Sequence, residues 1–290
     1  MIGLRLIAYA VMLCVCTQSH ATDISTEIGT YKKTTQRIKK VVTNLEIDST
    51  VYIFRSRSNG FHDKRHYNKG RDNVLLIPNA SGPDDITLVV WFHGLGGFST
   101  KTFSRVFTQV KKIVGLNHSI AISIPEMPWS INTSTRRTRQ GQVWRYNDEF
   151  SEYVKENVGR LSTWSNVHHG KELGSVRLVV VGHSAGGSAI AAATKEGSMC
   201  GLQFRAIVWS DASYDHWLHN AWDNCLSEMD SKICVLVRKG DTPYTRALGF
   251  MNTSKPSDNL RLRVLQRKEW THGQIGNNAL TLANIFSPGC

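Results

Sequence analysis

The sequence is short of acidic side chains, of cysteines and of interruptions. Against 35 lysines and arginines stand 23 aspartates and glutamates, a formal charge of +12 over 290 residues. Such a balance draws a protein toward anionic surfaces or polymers. The basic residues are scattered, however, and form no nucleic-acid-binding signature, so nucleic acid is not an expected partner. Six cysteines occur, none in a C-x-x-C pair and none spaced with histidines as zinc ligands are. No metal or cofactor is expected. No internal repeat, low-complexity tract or Pro/Gly-rich linker divides the chain. Beyond the N-terminus no run is apolar enough to cross a bilayer. What is left is one globular domain over 22–290.

The first 21 residues, MIGLRLIAYAVMLCVCTQSHA, carry Arg5 as their only charge, an apolar run from Leu6 to Cys16, and small residues at Ser19 and Ala21. That pattern predicts a secretory signal peptide cut after Ala21, hence a secreted or periplasmic protein with no stable membrane insertion. The apolar run is too short to serve as a comfortable anchor. Cleavage removes Cys14 and Cys16 and leaves Cys200, Cys225, Cys234 and Cys290. An even count in an exported protein suggests two disulfides. Of the three possible pairings, one joins Cys225 with Cys234 as a local pair and would then tie down the C-terminus through Cys200 and Cys290. Sequons at Asn79, Asn117, Asn132 and Asn252 leave glycosylation open.

Along the chain, short apolar runs alternate with amphipathic ones. Strands are expected at 51–54, 73–78, 86–92, 119–124, 176–182, 205–211, 232–240 and 261–266, and helices at 100–115, 148–161, from about 184, and 277–286. Phe103, Val106, Phe107, Val110 and Val114 give the helix at 100–115 a single apolar face. Strands apolar throughout, separated by helices, point to an α/β fold with a mostly parallel sheet covered on both faces. Sites in such sheets form beyond the strand C-termini.

Five such loops carry candidate chemistry. VVVGHSAGGSAIAAA (179–193) places Ser184 between Gly182 and Gly186, after a valine strand and before a small-residue helix. A serine hydroxyl needs exposure, a base and donors for the oxyanion before it can act as a nucleophile. The G-x-S-x-G turn provides the exposure and sets the N–H of Ala185 at a helix N-terminus. After strand 86–92, His93-Gly94-Leu95-Gly96-Gly97 can bring a second N–H, that of Leu95, to the oxyanion. His272, in Glu269-Trp270-Thr271-His272-Gly273 after the last strand, is the candidate base. Two aspartates compete to orient it: Asp241, in Lys239-Gly240-Asp241-Thr242-Pro243, and Asp211, in Trp209-Ser210-Asp211-Ala212-Ser213.

With HGLGG, GHSAGG, GDTP and WTHG in this order, each after a strand, residues 73 to 286 resemble the α/β-hydrolases. The resemblance implies an eight-stranded, mostly parallel sheet and a triad of Ser184, Asp241 and His272. Many members place the acid a few residues beyond the glycine of the late-strand loop. Here Asp241 follows Gly240 directly, which keeps Asp211 in contention as the alternative acid. The expected activity is hydrolysis of small or polymer-linked carboxylic esters through an acyl-enzyme. Two alternatives stand beside it: a serine peptidase or amidase, for example on cell-wall peptides, and a non-catalytic binding protein on the same scaffold. Segment 125–147 should border the pocket. Its Arg136, Arg137, Arg139 and Arg145 with Trp129 and Trp144 would suit a polar or anionic substrate.

Overall fold

A computed structural model describes residues 22–27, 30–56, 72–95, 97–127, 129–132, 137–140, 148–195, 197–253 and 257–287. The expected signal peptide and Cys290 lie outside them. The strands are β1 (Thr22–Thr26), β2 (Ser49–Arg55), β3 (Asp72–Pro78), β4 (Asp85–Phe92), β5 (Ile120–Pro125), β6 (Trp129–Asn132), β7 (Arg137–Gln140), β8 (Ser175–His183), β9 (Phe204–Ser210), β10 (Lys232–Arg238) and β11 (Leu260–Leu265). The helices are α1 (Lys32–Leu45), α2 (Thr100–Val114), α3 (Glu149–His169), α4 (Gly187–Lys195), α5 (Trp217–Asn224), α6 (Thr242–Thr253), α7 (His272–Asn277) and α8 (Ala279–Leu282).

Nine strands form one sheet in the order β1-β2-β3-β5-β4-β8-β9-β10-β11. Only β3 runs against its neighbours, β2 and β5; every other pair is parallel. The eight expected strands are all present. The ninth, β1, extends the β2 edge in parallel register, Thr22 opposite Ser49. Its residues TDIST are half-exposed or exposed, so no apolar alternation announces it; backbone pairing alone makes the strand.

Central strands are buried on both faces, and the two faces feed two cores. Leu88, Val90, Phe92 and Val180 pack under α3 to α6 with Phe150, Tyr153, Trp164 and Ile190. Val89, Trp91, Val179 and Val181 pack under α1, α2, α7 and α8 with Ile38, Phe103, Phe107 and Ile275. Side chains alternate across a strand, so a continuous apolar run is the signature of a strand covered twice. Each such side chain, once fully buried, contributes roughly 1.5–3 kcal/mol.

The pairing of β4 with β8 ends at Phe92 opposite Gly182. The two loops that follow therefore leave the sheet side by side. Helix α2 starts at a Ser99 cap, whose hydroxyl accepts from the Thr102 N–H. Helix α3 runs to His169 and stops at Gly170, a left-handed C-cap with φ 62°. It ends eight residues beyond the expected 161, because Trp164 and Ser165 are buried in its last turns.

The disulfide connects Cys200 to Cys225, 25 residues apart. This corrects the expected pairings of Cys225 with Cys234 and of Cys200 with Cys290. The end of α5 turns its cysteine back toward the end of α4, while Cys234 sits in the middle of β10 with its side chain in the opposite core. Cys234 is disulfide-bonded as well.

Candidate active site

The turn from β8 into α4 is built around close approaches. Ser184 has φ 55°, left-handed backbone that a non-glycine residue adopts only under constraint. Its flanking glycines are required sterically. A Cβ on Gly182 would lie 2.9 Å from the Gly186 carbonyl, and one on Gly186 would lie 2.1 Å from the Phe92 carbonyl oxygen. A Cβ on Gly187 would meet the Ala212 carbonyl oxygen at 2.4 Å. The last contact is why the motif continues as a second glycine.

The loop after β4 lies against this serine. A Cβ on Gly94 would sit 2.8 Å from Ser184 Cβ and 3.3 Å from its Oγ. Buried His93 holds the loop. Its Nε2 accepts from the Met127 N–H at 2.9 Å, so its Nδ1 carries the proton and donates to the Gly94 carbonyl at 2.8 Å. Leu95 lines the cavity with its side chain 45% exposed, and Ala185 is buried directly after Ser184.

His272 is the first residue of α7, immediately after a capping box in which Thr271 and Gln274 satisfy each other's backbone N–H. That T-x-x-Q pattern is legible in the sequence and fixes where the imidazole begins. His272 Nδ1 donates to Asp211 Oδ2 at 2.6 Å. Asp211 is fully buried, has φ 49°, and takes the Arg238 N–H on its other oxygen at 3.3 Å. Asp241, the expected acid, does not meet His272. It folds back at the turn after β10 to pair with the Arg238 guanidinium, and its carbonyl accepts from Thr245 in the first turn of α6. Because Asp241 directly follows Gly240, the loop has no residues left with which to reach across to α7. The strand end of β9, one place nearer β8, supplies the carboxylate instead.

Two further side chains touch the centre. The His183 ring stacks on that of His272 at a centroid distance of 4.8 Å, and its Nε2 donates to the His272 carbonyl at 3.3 Å. Burial, and then the neighbouring charge of His272, push the His183 imidazole down to about 4. Tyr214 lies close to Ser184, and burial followed by the Asp211 charge raise its phenol above the usual range. Neither residue was singled out from the sequence. His183 is visible there only as the variable position of the elbow motif.

Ser184, His272, Gly94 and Leu95 open onto one cavity of about 350 Å³, also lined by Trp91, Arg105 and Asn277. Of the expected substrate-binding segment, the structure describes a two-stranded antiparallel hairpin of β6 and β7, with Asn132 opposite Arg137 and Ser130 opposite Arg139. Trp129 starts β6; Arg136, Trp144 and Arg145 lie outside the described residues.

A parallel sheet with one reversed strand, a strained serine at the central strand–helix turn, and a histidine on the last helices settle the architecture. This is the α/β-hydrolase fold. No protein-family model matches the chain, and no curated protein does. Among solved structures, a ferulic acid esterase is 12% identical, with a TM-score of 0.46 over 83% of this chain and 98% of that one. An S-formylglutathione hydrolase from Agrobacterium tumefaciens is 13% identical, with a TM-score of 0.45 over 81% of this chain and 94% of that one. A prolyl endopeptidase is 13% identical, with a TM-score of 0.42 over 82% of this chain but 37% of that one.

Proposed function

We propose that the protein is an exported serine hydrolase that cleaves carboxylic esters through an acyl-enzyme on Ser184. One observation carries the reading. A serine on strained, left-handed backbone shares a cavity with a histidine whose Nδ1–H is held by a buried carboxylate. With that proton fixed on Nδ1, Nε2 of His272 is the basic nitrogen. It takes the Ser184 proton as Oγ attacks the acyl carbon. The N–H groups of Leu95 and Ala185 receive the negative charge that develops on the carbonyl oxygen. His272 then protonates the departing alcohol, and a water molecule activated by the same nitrogen releases the acid. Asp211 orients the imidazole and stabilises its cationic form during both steps.

Export fits the Cys200–Cys225 disulfide, since such bonds persist in oxidising compartments. Among the described residues no helix is long and apolar enough to cross a membrane. The test is labelling with a fluorophosphonate, the adduct located by mass spectrometry, with Ser184→Ala as control. A label confined to Ser184 supports the reading, and a panel of matched ester and amide substrates then separates esterase from peptidase. Folded protein that takes no label overturns it in favour of a binding protein.

A further inference from the structure

Helix α2 turns one face toward α7. On that face Gln109 is buried and fully used: its amide nitrogen donates to the Gly276 carbonyl at 3.1 Å, and its oxygen accepts from the Leu280 N–H at 3.0 Å. One turn earlier, at the i−4 position that shares this face, stands Arg105. Its guanidinium lines the cavity that holds Ser184 and His272. Both of its terminal nitrogens lie 3.7 Å from where a Gly273 Cβ would sit, so the charge rests over the backbone directly after His272.

Several other arginines of the described residues are tied down. Arg37 donates to the Phe98 carbonyl, Arg205 to the Ile285 and Phe286 carbonyls, Arg263 to the Leu282 carbonyl, and Arg238 pairs with Asp241. Arg105 is half-buried, and no carboxylate or carbonyl of the described residues engages it. A partly desolvated guanidinium that faces a cavity with five unused donors is a fork for a planar or tetrahedral oxyanion. Among the described residues that line that cavity none is acidic.

We propose that Arg105 is the specificity-determining residue of the cavity, binding a carboxylate or phosphoryl group carried by the substrate of Ser184. The inference rests on the hydrolase reading for the word substrate; the anion site itself does not. Arg105 holds the anionic group in a two-pronged hydrogen-bonded pair, and the ester is thereby presented to the serine from a fixed distance. Neutral esters lack that anchor.

The test uses the full chain and three small probes: succinate, the uncharged butyramide of the same length, and 3-phosphonopropionate. Binding is measured by calorimetry on wild type, Ser184→Ala, Arg105→Gln and Arg105→Lys, with melting temperatures to verify folding. Succinate or the phosphonate should bind wild type and S184A at least tenfold more tightly than butyramide. The tighter of the two identifies the carboxylate or the phosphoryl source. R105Q should lose that preference, and R105K, which keeps the charge but not the fork, should retain part of it. In turnover, the kcat/KM ratio of a 4-nitrophenyl hemisuccinate to the butyrate ester should fall at least tenfold in R105Q. Equal affinity of wild type for succinate and butyramide, or a preference that survives R105Q, overturns the proposal even if Ser184 is labelled by fluorophosphonate. Arg105-dependent succinate binding in a protein whose Ser184 takes no label would instead leave the anion site standing and remove the hydrolase reading.

Discussion

Replacing Asp211 by Asn and Asp241 by Asn, one at a time, separates the two candidate acids by a large factor. Asp211→Asn preserves shape in a site that is fully buried, so the fold should survive. What changes is the partner of His272 Nδ1. The 2.6 Å bond to a carboxylate becomes a contact with a neutral amide that can present its own N–H, which favours the wrong imidazole tautomer. In serine proteases the equivalent substitution lowers kcat by roughly 10⁴, or about 5.4 kcal/mol of transition-state stabilisation. Asp241→Asn breaks an i,i+3 pair whose side chains are 18% and 20% exposed. Such a pair is worth up to about 1 kcal/mol of stability, and kcat should stay within about twofold because no step of the proposed reaction passes through Asp241. The assay is hydrolysis of 4-nitrophenyl butyrate, with the rate of fluorophosphonate labelling as a second readout and melting temperature as a check on folding. A loss of several hundredfold or more in Asp241→Asn with near-normal Asp211→Asn would refute the assignment.

Three other outcomes follow from the same geometry. The His183 imidazole, at about 4 in the folded protein against an ordinary 6.5, stays neutral where the unfolded chain takes up a proton. Stability should therefore fall as the pH drops from 6.5 toward 4, by up to about 3 kcal/mol; chemical denaturation at pH 7 and pH 4 should show a smaller drop in His183→Asn. Gln109→Leu orphans the Gly276 carbonyl and the Leu280 N–H. It should cost about 2–4 kcal/mol and lower kcat as well, since α7 carries His272; equilibrium unfolding and kinetics on the same sample check both. Gly186→Ala forces a methyl group to within 2.1 Å of the Phe92 carbonyl oxygen. It should destabilise by about 3 kcal/mol or more, whereas Gly201→Ala, with open space around it, should melt within a degree or two of wild type.

The parts of the fold written as unbroken apolar runs were readable in advance, and so was the serine corner, because sterics there tolerate only glycine at fixed offsets. What escaped reading depends on partners distant in sequence. Strand β1 exists through pairing with β2 and carries no pattern of its own. Helix α1 does show apolar residues at Ile38, Val41, Val42 and Leu45, a helical spacing that lysines and threonines dilute. The acid is the clearest case. Asp211 and Asp241 both follow strands, and composition treats them alike. Only the register of β9 against β10, which stacks Ser210 on Leu236, and the short turn at Gly240 separate the aspartate that faces the histidine from the one that faces an arginine. Arg105 was hidden for a similar reason: its relation to the cavity runs through α7, about 170 residues downstream.

The pairing of β4 with β8 also governs when a reaction centre can exist during folding. Asp85 and Ser175 stand opposite each other, and closing the intervening loop of roughly 90 residues costs on the order of 4 kcal/mol of chain entropy before any contact rewards it. Contacts of that range delay a chain's arrival at its native state. Until this one ladder zips, the loop at His93 and the serine at 184 belong to separate parts of the polymer. When it closes at Phe92 and Gly182, both arrive together. A nascent chain thus carries no half-built nucleophile, and the onset of fluorophosphonate reactivity during refolding should coincide with formation of the central sheet.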